Sequence, residues 1–123
     1  MNRLASLAAF SAFLGVALGA FGTHSLRDIL TPAGIQIWQT GVQYHLIHSL
    51  AALVASTIVL PRRARLAPVL FLIGVCVFSG SLYLLALTGM KWWGAITPLG
   101  GLAFLAAWFI LALGFWQSPR VEK

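Results

Sequence analysis

Long uncharged apolar stretches, separated by short polar breaks, dominate the chain. The stretches run over residues 4–23, 29–60, 66–90 and 92–119. Each is long enough to cross about 30 Å of hydrocarbon once, which takes roughly 20 helical residues, and too short to cross it twice. We therefore predict an all-α polytopic membrane protein, one membrane domain over residues 1–123, built as an antiparallel bundle of four transmembrane helices. The predicted helices span about residues 4–23, 32–60, 66–88 and 95–116.

Helix-start and helix-stop residues support these boundaries. Thr31 and Pro32 are typical of an N-cap followed by the first helical position, and Thr97 and Pro98 repeat this start near the fourth helix. The basic turn at residues 61–65 ends the second helix. The first stretch looks like a signal peptide, but its removal would leave an odd number of spans. We interpret it as a retained helix.

Composition and charge agree with a surface that faces lipid. Apolar residues make up 60% of the chain and charged residues only 8%, against about 25% charged in soluble domains. The net charge of +6 comes from basic residues between the apolar stretches, so it does not indicate nucleic-acid binding. With four spans, one side of the membrane holds Arg3, Arg62, Arg63, Arg65, Arg120 and Lys123. The other side holds Arg27 and Lys91, so the positive-inside rule predicts that both termini lie in the cytoplasm.

Small residues recur at helical spacing in three of the predicted helices. In the first helix they are Ala8, Ala12, Gly15, Gly19 and Gly22, in the third Gly74 and Ser81, and in the fourth Gly100, Ala103, Ala107 and Gly114. Lipid supplies no hydrophobic drive between helices, so such stripes favour close backbone packing within the bundle. Homodimerisation through the same stripes is the alternative.

The predicted spans lack the charged groups that usually carry chemistry in membranes. Ion and proton pathways need intramembrane carboxylates or arginines, and the acidic residues of this chain are Asp28 and Glu122. This argues against a proton-coupled transporter and against catalysis by paired carboxylates. The sequence has no nucleotide-binding motif, and Cys76 has no second cysteine to pair with.

Three histidines are the remaining candidates for chemistry. His45 and His48 lie three residues apart and face nearly the same way on the second helix, and His24 lies at the outer end of the first. Histidines can ligate haem, copper or zinc, but no carboxylate is available to orient these rings. We therefore favour hydrogen bonds to other helices, and we expect His48 to point into the bundle. A nucleophile made of Ser79 or Ser81 with His48 has no acid to complete a triad and is disfavoured.

Four short motifs, in a fixed order, resemble a known family. They are GAFGTH at 19–24, QTGVQYHLIH at 39–48, FSGSLY at 78–83 and TPLGG at 97–101. Together they resemble the family known as domain of unknown function 423, small inner-membrane proteins to which the transmembrane protein 256 group is related. The resemblance covers nearly the whole chain and implies four transmembrane helices, a location in the bacterial inner membrane and an unknown molecular activity. It also implies histidine at positions 24 and 48, whereas the family usually has glutamine at position 45 and more often alanine at position 23.

A polar pocket inside the apolar bundle is the candidate site. Its expected members are His24, Gln43, Tyr44, His48, Ser79, Ser81, Tyr83 and Thr97. We expect no metal or other cofactor. Haem or a metal ion held by His24 and His48 is the alternative.

These observations favour a non-enzymatic integral membrane protein, either an accessory subunit or a binder of lipid or a small hydrophobic molecule. One alternative is a haem- or metal-binding redox protein that uses His24 and His48. Another is a small transporter that works as an oligomer, because one four-helix bundle leaves little room for a pore. The expected partners are membrane lipids, with a larger membrane complex or further copies of the chain beside them, and no nucleic acid.

Overall fold

The computed structural model describes residues 1–118 of the chain, and within that range it is helical throughout, with no strand. The elements are α1 (Arg3–His24), α2 (Pro32–Thr57), a 3₁₀ turn (Arg62–Ala64), α3 (Ala67–Gly74), a π-helical segment (Val75–Ser79), α4 (Gly80–Thr88) and α5 (Trp92–Trp116). The stretch from Arg62 to Thr88 runs as one rod of 27 residues, called here the composite helix.

Local side-chain chemistry fixes the helix ends. The Thr31 hydroxyl accepts a hydrogen bond from the Gly34 amide at 3.1 Å, so the predicted N-cap of α2 is present, with Pro32 following it. The composite helix stops at Gly89, which has a φ of 67°, a left-handed conformation that glycine adopts without a Cβ clash. α2 ends at Thr57, before the predicted residue 60, because Ile58 adopts an extended backbone.

The predicted start of the fourth helix at Thr97 and Pro98 is wrong. α5 begins at Trp92 and contains Pro98 in its interior. A proline lacks the amide hydrogen that an interior position donates, but transmembrane helices tolerate this where nearby hydroxyls bond the backbone. The Thr97 hydroxyl donates to the Trp93 carbonyl at 3.3 Å.

α2 and the composite helix form the centre of the fold. α1 packs mainly on α2, and α5 packs mainly on the composite helix. The small residues predicted for packing lie at these interfaces. A Cβ built on Gly100 would collide with the backbone of Phe78, and one built on Gly15 would lie 2.8 Å from the Leu46 side chain.

Three helices are long and apolar enough to cross a membrane: α1, the composite helix and α5. α2 is not among them, although its 26 residues are sufficient in length. The sequence predicted four membrane-spanning helices. The described residues do form four long helices, but only three of these are apolar enough to count as candidate spans. The protein is a helical membrane protein, with large apolar side chains exposed along these helices.

Hydrogen bonds at the helix ends bring one group of arginines together. The Asn2 side chain donates to the Ser56 carbonyl at 2.6 Å, and Arg63 Nη1 donates to Gln117 Oε1 at 3.1 Å. The start of α1, the end of α2, the 3₁₀ turn and the end of α5 therefore share one end of the molecule. We call it the basic end, defined by the exposed residues Arg3, Arg62, Arg63 and Arg65. Arg120 and Lys123, predicted to lie on the same side, fall outside the described residues.

Candidate functional site

Buried polar side chains mark the interior of α2 and the composite helix. They are His45, His48, Ser49, Ser79 and Ser81. Within residues 1–118, no buried side-chain nitrogen or oxygen lacks a hydrogen-bond partner. This agrees with the high cost of an unpaired polar group in an apolar medium.

The imidazole of His45 ties three helices together. Its Nε2 lies 2.9 Å from the Ser11 carbonyl, and its Nδ1 lies 2.9 Å from the Tyr83 hydroxyl. A carbonyl can only accept, so Nε2 carries the proton and Nδ1 accepts from Tyr83. Ser11 Oγ also bonds Ser49 Oγ at 2.6 Å. These four residues, called here the His45 network, join α1, α2 and α4.

His48 faces a different interface, against α5. Its Nδ1 donates to the Tyr44 carbonyl at 2.7 Å, and its Nε2 accepts from the Trp108 indole at 3.2 Å. The ring also stacks on Phe104, with centroids 3.6 Å apart and an interplanar angle of 12°. His48 therefore points into the bundle and bonds another helix, as expected. The partner is Trp108 on α5.

The serines of the composite helix make packing bonds. Ser79 Oγ donates to the Gly41 carbonyl at 2.7 Å, which joins the π-helical segment to α2. Ser81 Oγ lies 2.6 Å from Thr97 Oγ1 and thus joins α4 to α5. Both hydroxyls therefore bond groups on neighbouring helices.

The predicted polar pocket is therefore divided in the structure. Tyr83 belongs to the His45 network, His48 lies against α5, and the serines bridge other interfaces. Gln43 is exposed and lines a separate cleft of about 340 Å³ near the end of α1. Tyr44 is 39% exposed and packs its ring on Phe78, with centroids 4.5 Å apart.

His24 and His48, the alternative ligand pair, are far apart. A Cβ built on Gly19 would lie 3.1 Å from Val42 Cγ1, so these two residues lie at about the same level of α1 and α2. From that level, His24 lies roughly 8 Å toward one end of the bundle and His48 roughly 9 Å toward the other, at 1.5 Å per helical residue. The two imidazoles cannot share one metal ion or one haem in this arrangement. Within the described range, 1–118, no cluster of three or more His, Cys, Asp or Glu side chains is placed to hold a metal.

A groove between α1 and the composite helix lies directly over the His45 network. It has a volume of about 360 Å³ and is called here the α1 groove. Its lining residues are Leu7, Phe10, Ser11, Leu14, His45, Leu72, Val75, Cys76, Gly80 and Tyr83. Val75 and Cys76 belong to the π-helical segment, a kind of element often found at functional positions. The polar atoms at the bottom of the groove are hydrogen-bonded to one another. The surface that a ligand would contact is therefore mainly apolar.

A second groove, between α2 and α5, has a different character. It has a volume of about 420 Å³, and its lining residues are Ile47, Leu50, Ala51, Val54, Ala55, Ile58, Trp108, Leu111 and Phe115. It contains no hydrogen-bonding network comparable to that of His45. The α1 groove is thus the candidate site, because it combines an apolar wall with a fixed polar floor.

Sequence reasoning missed several residues of this site. Neither Ser11 nor Ser49 was among the expected members of the polar pocket, and His45 was left out of it because the resembling family usually has glutamine there. The one available signal was helical spacing, since Ser49 lies four residues after His45 and shares its face. Nothing in the sequence alone indicated that Trp108 would bond His48.

Comparisons with known proteins agree on the family. The family described as "Protein of unknown function (DUF423)" matches residues 18–101. The chain is 41% identical to the UPF0382 membrane protein YwdK of Bacillus subtilis, over 87% of this chain and 90% of the relative. It is 40% identical to the UPF0382 inner membrane protein YgdD of Escherichia coli K12, over 92% and 88% respectively. A UPF0382 membrane protein of Haemophilus influenzae is also 40% identical, over 98% of both chains. No solved structure matches significantly.

Proposed function

The chain belongs to the DUF423 family, and we propose that it is a four-span inner-membrane protein that binds a lipid or a similarly apolar small molecule in the α1 groove. The observation that carries the proposal is the groove itself, with the His45 network as its floor. Its volume of about 360 Å³ lies within the range of small-molecule sites, roughly 300–1,000 Å³. A ligand would enter it sideways from the bilayer.

The internal bonding of α2 supports its role as the fourth span. Its apolarity is reduced by polar residues such as His45, His48 and Ser49, which are 5%, 6% and 0% exposed. Hydropathy counts these side chains as if lipid surrounded them, whereas each bonds another protein group. The cost of placing α2 in hydrocarbon is therefore lower than its composition indicates.

The distribution of arginines supports an orientation with the basic end in the cytoplasm. Among the described residues, that end holds Arg3, Arg62, Arg63 and Arg65. The opposite end holds Arg27, with Asp28 beside it, and Lys91. By the positive-inside rule this distribution supports a cytoplasmic position for the N-terminus and the 3₁₀ turn.

The proposed role is binding without catalysis. Ser11 Oγ lies 3.2 Å from His45 Nε2, which resembles a serine–histidine pair. The proton on Nε2, however, is directed at the Ser11 carbonyl, so that nitrogen is not free to take the serine proton. Tyr83, and not a carboxylate, bonds the other ring nitrogen.

A groove-filling variant tests the proposal. A Cβ built on Gly80 meets nothing within 4 Å, so Gly80→Leu should fold normally and extend into the groove. Gly101→Leu on α5 is the matched control, because Gly101 does not line the groove and its Cβ would make only ordinary contacts, the nearest at 3.8 Å. In native mass spectrometry from mild detergent, wild type and Gly101→Leu should retain a bound lipid or apolar molecule, and Gly80→Leu should lose it. Recovery of wild type as a bare protein, or equal ligand retention by both variants, would overturn the proposal.

A further inference from the structure

A second cavity lies beside the α1 groove, toward the basic end. This cavity, called here the Arg65 notch, has a volume of about 290 Å³ and is lined by Leu4, Ala55, Ser56, Ile58, Val59, Leu60, Arg65 and Pro68. Leu4 lies one helical turn before Leu7 on α1, and Pro68 lies one turn before Leu72 on α3. Leu7 and Leu72 line the α1 groove. The notch and the groove thus follow the same furrow between α1 and the composite helix.

The length of this furrow matches one leaflet of a bilayer. From Leu4 in the notch to Leu14 in the groove, α1 rises roughly 15 Å at 1.5 Å per residue. Half of a hydrocarbon core of about 30 Å is the same length. A molecule lying in the furrow would therefore extend from the membrane surface to the bilayer centre, as one acyl chain does.

Positive charge is concentrated at one end of the furrow. Arg65 lines the notch, and Arg3, Arg62 and Arg63 lie at the same end. No charged residue lines the α1 groove. The inner part of the furrow is apolar, since the polar atoms below it are bonded to one another. A ligand that fits this pattern has a negative group at the surface and an apolar chain directed inward.

We propose that the ligand of the α1 groove is an anionic phospholipid, with its phosphate on Arg65 in the notch and an acyl chain along the groove. The inference rests on the function proposed above and specifies its ligand. An arginine guanidinium can bind phosphate oxygens in a bidentate manner. Basic pockets between transmembrane helices on the cytoplasmic side are a known setting for such headgroups.

Two features of the same molecule serve as internal controls. The groove between α2 and α5 is larger, at about 420 Å³, but no charged residue lines it. It can accept an acyl chain without selecting a headgroup. Arg63 lies two residues from Arg65, but its guanidinium bonds Gln117 and does not line the notch.

The test compares phosphatidylglycerol with phosphatidylcholine carrying identical acyl chains. The full-length chain, delipidated in mild detergent, is titrated with an equimolar mixture, and the bound lipids are counted by native mass spectrometry. Wild type should prefer phosphatidylglycerol. Arg65→Gln should reduce that preference about fivefold, the factor that corresponds to ~1 kcal/mol per basic residue at an anionic surface. Arg65→Lys should recover most of it, and Arg63→Gln should change it by less than about twofold.

Different outcomes separate this inference from the proposed function. If wild type binds both lipids equally, or if Arg65→Gln and Arg63→Gln behave alike, the headgroup assignment is overturned, although Gly80→Leu would still reduce binding of both lipids. If Gly80→Leu binds both lipids as wild type does, the groove itself is overturned. Displacement of the lipid by soluble glycerophosphate would show a site for free phosphate and would also overturn the assignment.

Discussion

His45 and His48 lie on consecutive turns of α2, yet they serve different interfaces. Three residues of helix rotate the side chain by roughly 300°, so the two rings diverge by about 60°. That divergence directs His45 toward α1 and α4, and directs His48 toward α5. Each ring has one nitrogen donating and one accepting, so both are held as neutral imidazoles.

The roles of the His45 nitrogens lead to a prediction about substitution. A glutamine at position 45 has an amide that can donate to the Ser11 carbonyl and an oxygen that can accept from Tyr83. His45→Gln should therefore change the free energy of unfolding by less than about 0.5 kcal/mol. His45→Leu should cost about 1–2 kcal/mol, because it leaves these partners without interhelical bonds. Thermal unfolding in detergent checks both variants, and a glutamine variant as unstable as the leucine variant would contradict the assigned bonds.

At the residue level, the sequence predicted that polar groups would be buried but not how they would pair. The inward orientation of His48 followed from the cost of exposing an imidazole to lipid. Its bond to Trp108 depends on how α5 is placed beside α2, and no local pattern encodes that placement. The predicted pocket failed for the same reason, since motifs adjacent in sequence or shared by a family need not meet in space. His24, for example, is exposed at the end of α1.

Among the elements, the composite helix contains the least regular backbone. Its π-helical segment, Val75–Ser79, lies where α5 approaches most closely through Gly100. A β-carbon on Gly100 would fall within contact distance of the Phe78 backbone nitrogen and Cα, which cannot move aside as a flexible side chain can. The interface therefore requires glycine at this position.

Two neighbouring glycines give a controlled test of that contact. Gly100→Ala should destabilise the protein by about 1–3 kcal/mol through overpacking. Gly101→Ala should be neutral or slightly stabilising, because its nearest neighbour would be 3.8 Å away and alanine favours helix over glycine. The test is to measure the unfolding midpoints of the two variants under the same conditions, and the midpoint of Gly100→Ala should be the lower one. Equal midpoints would show that α5 does not approach the π-helical segment this closely.

The sequence predicted where the helices lie in the chain better than it predicted the irregularities within them. Apolar stretches located α1, the composite helix and α5, because lipid demands about 20 apolar residues in a row. The Thr31 cap was also predicted, since its hydrogen bond is local. The π-helical segment and the interior position of Pro98 were not predicted, because both depend on contacts with a neighbouring helix.

Considered as a whole, the molecule is an open bundle. α1 lies on one flank of the central pair and α5 lies mainly against the composite helix. Grooves remain on both flanks, one between α1 and the composite helix and one between α2 and α5. A closed four-helix bundle would have filled these spaces with its own side chains, so the open arrangement leaves room for the lipid proposed above.

The proposed orientation is testable at two exposed positions on opposite ends. Val59 is 96% exposed at the basic end, and Ile29 is 74% exposed in the turn between α1 and α2. In a Cys76→Ala background, a membrane-impermeant maleimide applied to intact cells should label Ile29→Cys and leave Val59→Cys unlabelled. Inverted membrane vesicles should give the reverse pattern. Labelling of Val59→Cys in intact cells would show that the basic end faces outward.

The bond between Trp108 and His48 also has a consequence for biogenesis. The two residues are separated by 60 positions in the chain, so α2 leaves the ribosome well before the indole that completes its hydrogen bonds is synthesised. His45 can be bonded earlier, since Ser11 precedes it and Tyr83 follows it by 38 positions. If α2 is the fourth span proposed above, it would enter the bilayer before all of its hydrogen bonds can form. A nascent chain that stops short of α5 would keep the bond from His48 Nδ1 to the Tyr44 carbonyl but would leave His48 Nε2 without its donor.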